Sequence, residues 1–256
     1  MNVRGMSAKA VLGLAVVSLN FACGKSGPLD DAKVVSSHST QVDGLNLTVQ
    51  EVETPADVKA SVAAAISRTS SLEGETTIQS DDGGLGDDLD SANVIVDKVI
   101  NLGKKVWKVI AGNQPVLNLK FDFANALPQG VKAATDLAGF SELQFKSFVY
   151  SGTNGFGAEV FKVEFTVVYQ FGGAYSGKGA YINAASVVPQ DVSVLWGYDL
   201  GMDVQNVAVS NIGTSESPVA SMTLMAHIKV STVLKKTEIN ELFSIRGDNG
   251  MLTRVN

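Results

Sequence analysis

The chain has 256 residues, 45% of them hydrophobic and 18% charged, with a net charge of −6 and a single cysteine. That apolar share supplies the core of one large domain or two small ones and excludes a disordered chain. The acidic balance repels phosphate backbones, so no nucleic-acid partner is expected.

The first residues, MNVRGMSAKA, carry only Arg4 and Lys9 as charges, and the uncharged AVLGLAVVSLNFA leads from them to Cys23. A basic start, a short apolar run and a small residue at its end have the layout of an export signal. The run falls short of the roughly 20 apolar residues that a membrane-crossing helix needs. The segment Leu19-Asn20-Phe21-Ala22-Cys23 resembles the lipobox of bacterial lipoproteins, in which a small residue precedes the cysteine. The resemblance covers residues 1–23 only. It implies a diacylglyceryl group on the Cys23 sulfur, removal of residues 1–22 and acylation of the new amino terminus. By the same analogy the protein is attached to the cell envelope, and Gly24 in place of Asp after the cysteine points to the outer membrane. Several acyl chains anchor a protein stably where one holds it only marginally. Removing Arg4 and Lys9 leaves eighteen basic against twenty-six acidic side chains, a net charge of −8. With Cys23 consumed, no internal disulfide can form.

Residues 23–41, CGKSGPLDDAKVVSSHSTQ, are small and polar enough to form a flexible tether between anchor and fold. A small strand-and-helix segment is expected over 42–79. In it Leu45, Leu47 and Val49 alternate with polar residues as in a strand. Thr54 is suited to cap a helix over 55–68, with Pro55 at its first position. Val58, Val62 and Ile66 would form its apolar stripe. The run SDDGGLGDDLD within residues 80–91 approaches a glycine-and-aspartate calcium repeat. It holds one copy only, with Asp90 in the apolar slot, so an acidic linker is the simpler reading. Residues 92–111 place Ile95, Val99, Leu102, Val106 and Ile110 on one helical stripe, with Lys98, Lys104, Lys105 and Lys108 mainly on other faces. This amphipathic helix would pack on a sheet or lie on a membrane.

From residue 116 the period becomes two. Alternation in LNLKFDF, VFKVEFTVVYQF and ASMTLMAHIKV predicts antiparallel strands with one buried face, seven to nine of them between 116 and 256. Asn154-Gly155 reads as a hairpin turn, and Gly172-Gly173 and the GDNG at 247–250 as later turns. The fold expected for 92–256 is mainly β: an antiparallel β-sandwich or barrel-like domain, with one or two amphipathic helices packed on it.

Little chemistry survives inspection. GGAYSGKG at 172–179 nearly spells a phosphate loop, but Gly179 stands where Ser or Thr must bind magnesium, and a hairpin loop fits better. With only His38 and His227, a zinc site lacks ligands, and no G-x-S-x-G elbow accompanies His227. Nothing in the sequence shows that carboxylates such as Asp199 and Asp203 converge. No catalytic residue, metal or cofactor is therefore assigned. Tyr175, Tyr181, Trp196 and Tyr198, beside glycine-rich loops, are the candidate ligand-binding residues, as a stacking platform for a glycan or a hot spot for a protein. The expectation is a non-enzymatic binding or structural module held to the membrane through Cys23. The alternatives are a carboxylate-based hydrolase and a membrane-inserting β-protein.

Overall fold

Alternating apolar and polar residues can satisfy water and core together only by pairing into sheets, and two such sheets must cover each other's apolar faces. The computed structural model describes residues 27–69, 116–121, 124–128, 131 and 136–255. The expected export signal, Cys23, the acidic run over 80–91 and the helix expected over 92–111 lie outside these. In chain order the elements are β1 (Val34–Val42), β2 (Leu45–Val52), α1 (Ala56–Thr69), β3 (Val116–Phe121), β4 (Ala124–Ala126), β5 (Gln144–Thr153), β6 (Glu159–Tyr175), β7 (Lys178–Val194), β8 (Asp199–Asn211), β9 (Ala220–Ser231), β10 (Lys236–Arg246) and β11 (Leu252–Val255).

The strands form a sandwich. One sheet runs β1-β2-β5-β6-β7-β4 and the other β11-β10-β9-β8-β3. All pairings are antiparallel except β3 with β8. Between the sheets Phe148 of β5 and Phe165 of β6 meet Phe243 of β10, with ring centroids 4.8 Å and 6.0 Å from it. Such offset and edge contacts are the geometry in which aromatic rings attract. β9 alternates buried and half-buried residues without a break, as its sequence predicts.

Three expectations need correction. The tether expected over 23–41 departs from the structure at Gly27. Leu29 is buried beside Val52, Val149 and Val168, and residues 34–42 pair along β2 as an edge strand. The valines, serines and threonine of VVSSHSTQV suit an edge strand as well as a coil, and no apolar stripe reveals the difference, because β1 is exposed nearly throughout. Second, β6 and β7 are buried on both faces over much of their length. Val149, Val168 and Val188 point outward, where Leu29 and Val58 and Val62 of α1 cover them. Third, Thr54 is not the cap of α1. The helix opens with Lys59 N–H donating to Pro55 O at 3.1 Å, while the Thr54 hydroxyl accepts from Ser147 Oγ at 2.9 Å. Ser147 in turn pairs with Thr166 at 2.9 Å, so the buried hydroxyls beneath α1 satisfy one another.

Two irregularities shape the long strands. Ala184 takes a φ of 56° where the register between β6 and β7 slips, which is the backbone of a bulge. Pro189 also sits at a slip. Among the described residues β4 pairs with β7 only around Ile182 to Ala185, so no described strand pairs with β7 beside Pro189 on that side, where proline removes no ladder bond.

Candidate functional site

The aromatic residues singled out from sequence do not form one platform. Tyr175 and Tyr181 lie at the β6–β7 hairpin, whose turn is made by Ser176 (φ 50°) and Gly177 (φ 73°). Trp196 and Tyr198 lie in the β7–β8 turn at the other end of β7. The 15 residues from Tyr181 to Trp196 correspond to about 50 Å of strand. Tyr181 and Tyr198 pack partly against the core, whereas Tyr175 and Trp196 are exposed. The glycine-rich GGAYSGKG is thus a pair of hairpin arms with no helix behind it.

Four turns gather at the end of the sandwich that carries Trp196. They join β1 to β2 (Asp43-Gly44), β5 to β6 (154–158), β7 to β8 (195–198) and β9 to β10 (232–235). Asp43 and Gly44 both have positive φ and close a two-residue turn. The Lys235 ammonium donates to Asp43 O and so ties the two sheets together at this end. A cavity of about 190 Å³ opens between them, lined by Leu45, Asn154, Tyr198, Thr232 and Thr237 among others.

The remaining three turns hold large apolar side chains outward. Asn154 Oδ1 accepts from the N–H of Phe156 (3.0 Å) and of Ala158 (3.1 Å), and Gly157 supplies the positive φ. The hairpin expected at Asn154-Gly155 is therefore a five-residue loop in which Gly157, not Gly155, is left-handed. Tyr198 N–H donates to Leu195 O at 3.0 Å across a turn with Gly197 at φ 86°, and Trp196 stands at its apex. Thr232 N–H donates to Lys235 O at 2.7 Å, and the Thr232 hydroxyl accepts from Leu234 N and Lys235 N. At these apexes Phe156 is 98%, Trp196 94%, Val233 99% and Leu234 95% exposed. Sequence reasoning missed Phe156, Val233 and Leu234. The signal was there, since turns favour Gly, Asn, Asp, Ser and Pro, and a bulky apolar residue at an apex has no packing reason to be there.

No protein-family model matches this chain, and no curated protein or solved structure matches it. Function therefore has to be read from the residues themselves.

On the outer face of the six-stranded sheet, Lys162 joins the N-terminal segment to β6. Its ammonium lies 2.5 Å from Asp30 Oδ1 and 3.2 Å from Glu164 Oε1, and Glu164 Oε2 accepts from Leu29 N at 2.9 Å. Burial pushes the fully buried Glu164 carboxyl above its usual range, against the Leu29 N–H and the Lys162 charge, which pull it down. Burial pushes Asp30 up as well, but there the hydrogen bonds from Lys162 and the Gly27 N–H, together with the Lys162 charge, outweigh it and hold the carboxyl low. These groups neutralise one another around one cation, so they clamp a segment in place and leave no free acid and base.

On the outer face of the other sheet, His227 pairs in register with Asp203 and Asn240, and its Nδ1 lies 2.6 Å from Asn240 Oδ1. His227 thus sits on the polar face beside Met225 and Lys229, as its alternation predicts. Between β10 and β11, Arg254 binds Glu241 through Nε and through Nη2, the latter at 3.1 Å. Beneath them the buried Tyr150 phenol is pushed far above its ordinary value, first by burial and then by the Glu241 charge. Among the described residues no group of three or more His, Cys, Asp or Glu is placed to hold a metal, and no helix is long and apolar enough to cross a membrane.

Proposed function

We propose that the chain is an exported lipoprotein of the cell envelope, anchored at the outer membrane through acylated Cys23, whose β-sandwich is a non-enzymatic binding or structural module. The observation that carries this reading is the succession of Arg4 and Lys9, an uncharged run and Cys23 in the order an export-and-acylation signal requires. The position of Leu29 supports it: six residues after Cys23 it is already buried against the sandwich, so folded chain stands close behind the cleavage point that the reading implies. The nearest acid and base groups are engaged with each other, in the Asp30–Lys162–Glu164 clamp and the Glu241–Arg254 pair, which favours a module over a catalyst.

Metabolic labelling with a radioactive fatty acid tests the reading. The native chain is expected to take up label, and Cys23→Ser to take up none. Equal incorporation in both, or in neither, rejects it.

A further inference from the structure

Four large apolar side chains in water at one end of a sandwich call for a partner that buries them. We propose that Phe156, Trp196, Val233 and Leu234 dip into the interfacial layer of the same lipid bilayer that carries the Cys23 acyl chains, so that the protein stands on the membrane on this end. The inference rests on the lipid-anchor reading and deepens it, because it fixes how the anchored sandwich is oriented.

The shape of the site favours lipid over protein. The side chains sit on three separate apexes, each closed by hydrogen bonds within its own turn: Asn154 for Phe156, the Leu195–Tyr198 bond for Trp196, and Thr232 for Val233 and Leu234. The cavity between these turns is lined largely by polar residues such as Asp43, Asn154, Thr232 and Lys235 and not by the four apolar side chains; separate fixed projections of this kind suit a soft, fluid surface, whereas a protein interface requires a continuous, complementary patch. A tryptophan, with an apolar ring and one N–H donor, is the residue that membrane–water interfaces select. The turns donate and accept their own backbone bonds, so lowering them into the interface strands few polar groups.

The length of chain outside the described structure points the same way. Gly27 lies against the Glu164 carboxylate. Glu164 is five residues along β6 from Glu159, where the strand leaves the Phe156 loop, or about 17 Å of strand. From Glu164 to Tyr175 at the opposite end is about 36 Å. The four residues from Cys23 to Gly27 span at most about 14 Å. An acylated Cys23 therefore holds the bilayer within about 14 Å of Gly27, a little short of the Phe156 end and far short of the Tyr175 end, so an upright sandwich meets the lipid with its Phe156 end. A sandwich lying on its other accessible side would press α1 and the charged Asp30, Asp31, Lys33 and Glu53 against the lipid.

Trp196 reports on its own burial. Trp107→Phe leaves it as the only tryptophan. The full chain carrying that substitution is purified in its acylated form and reconstituted in vesicles of phosphatidylethanolamine and phosphatidylglycerol. Trp196 emission is expected to shift to shorter wavelength and to be quenched by lipids brominated on their acyl chains. In a second arm, the unacylated Cys23→Ser chain without residues 1–22 is expected to bind the same vesicles weakly. Adding Phe156→Ser and Leu234→Ser is expected to lower that binding ~tenfold or more.

An acylated chain that stays on vesicles while Trp196 keeps its water-like emission overturns the orientation and leaves the anchor standing. So does protection of Trp196 by a protein fraction and not by vesicles. A chain that takes up no fatty acid removes the anchor, and the Cys23→Ser arm then decides the apolar turns separately: undiminished binding in the Ser double variant overturns their role.

Discussion

Leu29 is 1% exposed and lies among Val52, Val58 and Val168, with its N–H donating to Glu164. Leu29→Ala leaves a void where the N-terminal segment docks and should cost about 2–3 kcal/mol. Hydrogen exchange would then show residues 27–33 opening ahead of the strands. Glu164 allows a sharper test, because its carboxyl is raised by burial. A carboxyl raised by folding favours the native state below its unfolded pKa, and that contribution is lost as pH rises through the folded value. Glu164→Gln keeps an acceptor for Leu29 and removes the titration. Measured by denaturant unfolding from about pH 4 to about pH 8, wild type should therefore lose stability relative to Glu164→Gln as pH rises. Asp30, held low by Lys162 against the effect of burial, works in the opposite sense: its contribution is present above its unfolded pKa and fades as pH falls through the folded one. A wild type that gains on Glu164→Gln with rising pH would mean that Lys162 outweighs burial at Glu164. At Tyr169, burial pushes the phenol up to about 12, and its hydroxyl donates to Gly250 O at 2.6 Å. Tyr169→Phe orphans that carbonyl and should cost about 1–2 kcal/mol in the same unfolding assay.

At the scale of the element, each apolar apex depends on the turn beneath it. Asn154→Ala removes the acceptor shared by the Phe156 and Ala158 amides. It should loosen the β5–β6 loop at a cost of about 1 kcal/mol, visible as faster amide exchange at those two residues, with β9 unchanged. The same elements show what could be read from sequence. β9 was legible because one side faces the core and the other water, so composition follows the period of two. β6 was legible as a strand but not in its burial: Lys162, Glu164 and Thr166 look solvated, yet Glu164 and Thr166 lie under the docked N-terminal turn and α1. Burial of that kind depends on residues more than a hundred positions away, which no local pattern encodes. β1 was hidden for the opposite reason, since an exposed edge strand imposes no periodicity. Among the aromatic candidates, composition brought four residues together, and the direction of β7 took two of them to the far end.

For the whole molecule, the Phe148, Phe165 and Phe243 contact joins the two sheets at their centre. Phe243→Ala should cost about 3–5 kcal/mol in global unfolding, and the loss should appear equally by fluorescence and by circular dichroism if the sandwich unfolds as one unit. The two sheets are assembled from strands interleaved along the chain: β7 hands over to β8 across the gap, and β11 completes the second sheet last. That order has a consequence for synthesis. Until Arg254 emerges, Glu241 has no cation to meet it, and a closed sandwich would bury a lone negative charge beside the Tyr150 ring. Removing one member of such a pair costs about 3–5 kcal/mol. A chain that still lacks Arg254 is thus held short of the closed sandwich.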